Sequence, residues 1–84
     1  MSIKKLNNLN YLTLSHNQIG KLPRFVKNLI HLNGLVIDNN NLRKLPRSIK
    51  KLTELETIKL SQNPIKETRI IKIKKRLPQC EVVF

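Results

Sequence analysis

Ser15, Asp38 and Ser61 fall 23 residues apart, and His16 follows the first of them. Hydroxyl, imidazole and carboxylate are the groups of nucleophilic catalysis, in which the histidine must stand between serine and acid to take the proton. If the segments around these residues stack as parallel strands about 4.8 Å apart, Ser15 and Asp38 become direct neighbours. His16 is then misplaced, because consecutive residues of an extended segment point to opposite sides. Gly20 and Gly34 are the two glycines of the chain, and neither belongs to a loop that could hold an oxyanion or cradle a phosphate. His16 and His31 occupy non-equivalent positions and Cys80 lies far along the chain, so no metal-ligand spacing forms. The expectation is no enzyme, no cofactor and no metal. The spacing of 23 is more informative than the chemistry it separates.

That spacing recurs throughout. Leu6, Leu29 and Leu52 share it, as do Leu9, Leu32 and Leu55, then Leu12, Leu35 and Ile58, and then Leu14, Ile37 and Leu60. Asn17, Asn40 and Asn63 follow in the same register, and Ile19, Leu42 and Ile65 close it. Two copies run further, with Leu22-Pro23 answered by Leu45-Pro46 and Val26 by Ile49. Each copy supplies a short strand, Leu12-Thr13-Leu14, Leu35-Val36-Ile37 and Ile58-Lys59-Leu60, whose outer residues turn inward and whose middle residue turns outward. One copy cannot bury its own apolar face, so the copies must stack and share a core. A side-chain amide both donates and accepts, so the three asparagines can pair with backbone groups where each strand bends away.

A period of this length with the pattern L-x-x-L-x-L-x-x-N-x-L resembles the leucine-rich repeat. The added L-P-x-x-I tail looks like the variety common in bacterial proteins and in some eukaryotic signalling scaffolds. The resemblance implies an α/β fold, a short solenoid with parallel strands on its concave side, about three repeats and a C-terminal helix-strand cap. The boundaries follow: a leader at 1–5, repeats at 6–28 and 29–51, a truncated third repeat at 52–65 and a cap at 66–84, all one domain. Within the cap, Ile70, Ile73 and Leu77 fall at helical spacing between Pro64 and Pro78, and Cys80, Val82 and Phe84 alternate as a final strand. The run from Leu77 to Phe84 is similar to the closing segment of many bacterial relatives, and a natural C-terminus is the expectation that this resemblance implies.

Twenty-eight of the 84 residues are Leu, Ile or Val, and there is no Trp or Ala, so the core must be built from aliphatic ladders. Met1 to Lys5 do not read as a secretion signal, and the single cysteine excludes an internal disulfide, so a cytoplasmic location is expected. At the other end of the stack only Ile3 is available to fold over the core. That leaves the first strand as an edge on which a second copy could dock as a homodimer.

Function is expected from the faces. The net charge of +12 maps mainly to the return path, where Lys21 stands over Lys44, Arg24 over Arg47 and Lys27 over Lys50. The strand face is polar and nearly neutral. Family resemblance implies an adaptor that binds a protein there, and the expected contact residues are Tyr11, Thr13, His16, Val36, Asp38, Asn39, Glu56 and Lys59, with Tyr11 as the aromatic anchor. The alternative is electrostatic binding of an anionic surface, nucleic acid or acidic phospholipid, through Lys21, Arg24, Lys27, Lys44, Arg47 and Lys50. Phe25 is the one ring near that stripe, too few for base stacking.

Overall fold

The computed structural model describes residues 8–84, so the expectations for the leader, Leu6 and the folding of Ile3 over the core lie outside the described residues. Each copy forms one three-residue strand: β1 (Tyr11–Thr13), β2 (Gly34–Val36) and β3 (Thr57–Lys59). A fourth, β4 (Glu81–Val83), follows the cap, and the four make one sheet in chain order with every neighbouring pair parallel. Strand residues begin one position before the apolar triplets, and the ladder runs on beyond them: Leu14 N–H donates to Val36 O at 2.7 Å, Ile37 N–H to Lys59 O at 3.0 Å and Leu60 N–H to Val83 O at 2.7 Å. Leu12, Leu35, Ile58 and Val82 align across the sheet and point inward, as alternation requires.

The aliphatic ladders close on one another. Leu32, Leu35, Ile37, Leu42, Leu52, Leu55 and Ile58 are completely buried, whereas Leu9, Leu12, Leu14 and Ile19 of the first copy are half-buried. Each fully buried aliphatic side chain contributes about 1.5–3 kcal/mol by leaving water, and this sum holds three short coils together. On the return path Pro23 and Pro46 enter 3-10 turns at Arg24–Asn28 and Arg47–Lys51 with φ of −57° and −68°, values the proline ring sets in advance. Val26 and Ile49 drop from these turns into the core.

The third copy leaves this course at Pro64. In the second copy Asn41 N–H donates to Ile19 O at 2.9 Å, and Pro64, at the matching position, has no N–H to donate. The chain then turns into the cap helix, α1 (Glu67–Arg76), with Ile73 and the following Leu77 buried and Ile70 half-buried. After it, Cys80 N–H donates to Leu77 O at 3.0 Å, the same turn that Leu32 makes onto Leu29 and Leu55 onto Leu52. The cap is therefore a helix followed by the opening of a further coil, which delivers β4 to the sheet. Cys80 and Val82 pack on the core as expected, but Phe84 does not continue the alternation. It lies 41% exposed with Lys74 Nζ 5.9 Å from its ring centroid, because the ladder ends at Val83.

The asparagines tie each coil to the one before. Asn40 Oδ1 accepts from the N–H groups of Asn17 (3.0 Å) and Ile19 (2.9 Å). Its Nδ2 donates to the carbonyls of Leu14 (2.9 Å), Ile37 (3.1 Å) and Asp38 (3.1 Å). Asn63 repeats the arrangement, accepting from Leu42 N–H at 3.0 Å and donating to Ile37 O at 2.9 Å and Leu60 O at 3.0 Å. The backbone pairing expected of all three asparagines is made across coils by Asn40, which is buried, and by Asn63, which is half-buried, but not by Asn17. It is exposed and, among the described residues, its amide donates only to Ser15 O, at 2.9 Å, because its partners would belong to a preceding coil. Asn40→Ala orphans two N–H groups and several carbonyls in the core, so it should cost about 2–4 kcal/mol in urea denaturation, with Asn17→Ala costing less than about 1 kcal/mol. Equal costs for the two would refute the inter-coil role.

Candidate functional site

The parallel register lays the outward strand residues in rows. One row reads Tyr11, Gly34, Thr57, Glu81, and the next Thr13, Val36, Lys59, Val83. Of the residues expected to bind a partner, Tyr11, Thr13, Val36 and Lys59 thus share one continuous surface. Glu56 adjoins it just before β3, with its N–H donated to Asn33 O at 2.8 Å and its side chain exposed. His16 and Asn39 lie beyond the strand ends, on left-handed backbone at φ of 60° and 57°, a position shared by Gln62 at 60°. They border the face where each chain segment turns away from it.

Tyr11 dominates this surface with 71% exposure. The Cδ1–Cε1 edge of its ring lies against Gly34, where a Cβ would come within 2.5 Å of Cδ1 and 2.8 Å of Cε1. Gly34, lacking a Cβ, therefore leaves the space that the ring edge occupies, a role that one copy taken alone does not reveal. The expected final strand, β4, also adds to the face two residues not among the expected contacts, Glu81 in the tyrosine row and Val83 in the valine row. The signal was present in the alternation of Cys80 and Val82, which turns Glu81 and Val83 outward. With Asp38, Glu56 and Glu81 beside a single Lys59, this side is acidic on a protein of net charge +12.

The groups that could have been catalytic are spent on structure. Ser15 Oγ donates directly to Asp38 Oδ1 with no imidazole between them, and Asn39 Nδ2 donates to Asp38 Oδ2 at 3.3 Å. The Ser15 hydroxyl holds the Asp38 carboxyl below its usual range of 3.8, helped by a backbone N–H, by His16 and by Asn39, and opposed by partial burial. Cys80 is half-buried, and desolvation, with Glu81 nearby, pushes its thiol up to about 11, far from a thiolate nucleophile. His31 Nδ1 lies 2.7 Å from Glu54 Oε2 on the exposed return side, across one repeat. Among the described residues no three His, Cys, Asp or Glu side chains gather as metal ligands.

The basic stripe divides between two grooves. Lys44 and Arg47 line a cleft of about 350 Å³ against the cap helix, joined there by Arg69, Lys72 and Arg76 over Ile73. Arg24 and Lys27 line a smaller groove of about 240 Å³ between the two 3-10 turns, with Lys51 and Ser48. Lys21 and Lys50 line neither, so the six stripe residues do not form one site.

A family model described as leucine rich repeat matches residues 7–65. Among solved structures, the chain is similar to an LRR protein of Leptospira interrogans, at 36% identity and a TM-score of 0.89, over 100% of this chain and 22% of that one. The chain thus spans less than a quarter of that protein's length. No curated protein matches it.

Two outcomes follow from the strand face. The chain has one tyrosine and no tryptophan, so near-ultraviolet circular dichroism at the tyrosine band reads Tyr11 alone. Gly34→Ala should change that signal strongly while costing less than about 1 kcal/mol, because an exposed ring can swing aside; an unchanged spectrum would exclude the contact of the ring with Gly34. Asp38, held below 3.8, adds stability above that pH that is lost as pH falls through its lower folded value. Thermal denaturation of Asp38→Asn should therefore fall less steeply than wild type on acidification below pH 3.8.

Proposed function

This chain belongs to the leucine-rich repeat family, whose scaffolds act through protein–protein interaction, and we propose that its contact surface is the strand face centred on Tyr11. The observation that carries this reading is the ring itself, large, 71% exposed and held by one edge against Gly34. An aromatic side chain already ordered against a sheet loses little entropy when a partner covers it, which is what distinguishes a binding anchor from a solvated surface residue. Thr13, Val36 and Lys59 form the row beside it, and Asp38, Glu56, His16 and Asn39 supply polar contacts at the margins. The partner suited to this face presents an apolar side chain to Tyr11 and Val36 and hydrogen-bond donors or cations to Asp38, Glu56 and Glu81.

The architecture is that of a scaffold and not a catalyst: Ser15 and Asp38 bond to each other across adjacent coils. No helix among the described residues is long and apolar enough to cross a membrane. A second copy is the other protein partner we propose to test, because among the described residues β1 ends the sheet order and an edge strand offers backbone groups for pairing. Sedimentation showing a monomer at high concentration would remove it.

Immobilised protein should capture a binding partner from native extract, identified by mass spectrometry, at salt sufficient to screen surface charge. The triple variant Tyr11→Ala, Val36→Lys, Lys59→Glu should lose that partner while retaining its far-ultraviolet circular dichroism and urea midpoint. Undiminished capture by the folded triple variant would refute the assignment of the strand face.

A further inference from the structure

We infer that the cleft between the second 3-10 turn and the cap helix is a binding site for clustered phosphates, such as an oligophosphate chain or a multiply phosphorylated headgroup. This site is on the side of the molecule away from Tyr11 and stands independently of the strand-face reading. Five cations converge on it. Lys44 and Arg47 reach it from either side of the Leu45-Pro46 pair, and Arg69, Lys72 and Arg76 come from α1.

The convergence follows from helix geometry. Residues 69, 72, 73 and 76 are spaced i, i+3, i+4 and i+7, which puts them on a single helical face. Ile73 is the buried member of that set and seats the helix on the core, so the three cations beside it are brought to the rim of the same contact. The opposing turn is fixed by Pro46 and by Ile49 in the core. Both walls are thus anchored by buried side chains, and the cations stand on a preformed cleft instead of a mobile surface.

Like charges gathered in this way repel one another, and no acidic side chain lines the cleft to offset them. Among the described residues the one ion pair is His31 with Glu54, so none of the five cleft cations has an acidic partner. All five acidic residues of the chain are described, and none of them lines the cleft. Charges that serve solubility alone are best scattered over the surface with both signs interspersed. A cleft of about 350 Å³ holding five cations is the opposite arrangement, and its repulsion is relieved by an anion of matching charge.

Shape and donor type select among anions. The cleft volume is at the lower end of the range for small-molecule sites and large enough for several linked phosphates. Three of its five cations are arginines, whose planar forks match phosphate oxygens in pairs. The neighbouring groove tests the specificity of the argument within the same molecule. It has the same origin between successive return paths, yet it is smaller, holds a single arginine with two lysines, and has no helix wall.

The probe is inorganic tripolyphosphate, titrated calorimetrically at low salt. Wild type should bind it with 1:1 stoichiometry and bind orthophosphate far more weakly, with affinity falling as salt rises. Arg47→Gln with Arg69→Gln should weaken binding about tenfold or more, since several charge-assisted bonds are removed together. Arg24→Gln with Lys27→Gln removes the same charge from the second groove and should weaken it less than about threefold, the share due to net charge alone. All four positions are exposed, and unchanged urea midpoints will show that each double variant is folded. Equal losses in the two double variants, or no binding by wild type, would overturn the cleft.

Vesicles carrying a phosphoinositide bisphosphate separate the sources of the phosphate. Vesicle retention displaced by tripolyphosphate assigns the cleft to a lipid headgroup, and tripolyphosphate binding without vesicle retention assigns it to a soluble oligophosphate. Retention that tripolyphosphate does not displace, or duplex DNA binding indifferent to the Arg47 and Arg69 pair, counts against it.

Discussion

A side-chain amide joins each coil of this protein to the coil before it, and the rest of the structure is arranged around that joint. Asn40 collects the N–H groups of Asn17 and Ile19 on its oxygen and gives its hydrogens to carbonyls of both coils. These are backbone groups that the strand ladder cannot reach once the chain bends, and burying them unpaired would cost about 1–3 kcal/mol each. No other side chain of that length both donates and accepts. Aspartate lacks the donor, and glutamine adds a methylene that displaces the amide. The joint is thus well served by asparagine, which recurs at a constant offset of 23 residues through Asn63.

From this constraint the two surfaces of the molecule acquire different characters. On the strand side, backbone pairing every 23 residues brings Tyr11 over Gly34 and Ser15 against Asp38, so that polar side chains are partly satisfied by neighbours from the next coil. The return path carries proline-led 3-10 turns and a helix, and among the described residues none of their side chains has an ion-pair partner, the one pair being His31 with Glu54 outside these elements. Acids accumulate at the first surface and bases at the second. A short solenoid can in this way present an aromatic, mildly acidic face and a strongly basic one while both rest on one aliphatic core.

The end of the stack shows how little is needed to stop it. Pro64 withholds one N–H, the chain changes from a turn to the Glu67–Arg76 helix, and Leu77 with Cys80 then resumes the opening turn of a coil so that β4 can cover β3. The same helix that closes the core on one side brings Arg69, Lys72 and Arg76 against Lys44 and Arg47 on the other. Capping and the assembly of the basic cleft are consequences of one packing event. Cys80 takes part only as an apolar filler, its thiol pushed up by desolvation and by Glu81.

By itself the sequence determined the period, the inward and outward positions, the place of the cap and the separation of charge from the strand face. It could do so because burial of an aliphatic side chain and alternation along a strand are local in each copy and are written three times. The tertiary structure decided what depends on two copies meeting. Asn17 is exposed and Asn40 buried, although their local sequences match, because only Asn40 has a described coil on either side. Gly34 acquires its role from a ring 23 residues earlier, and β4 adds Glu81 and Val83 to the face by a register that no repeat unit predicts, since the cap breaks the period. The cleft cations belong to segments with different periodicities, one a 3-10 turn and one an α-helix, and their convergence is set by how Ile73 seats on the core.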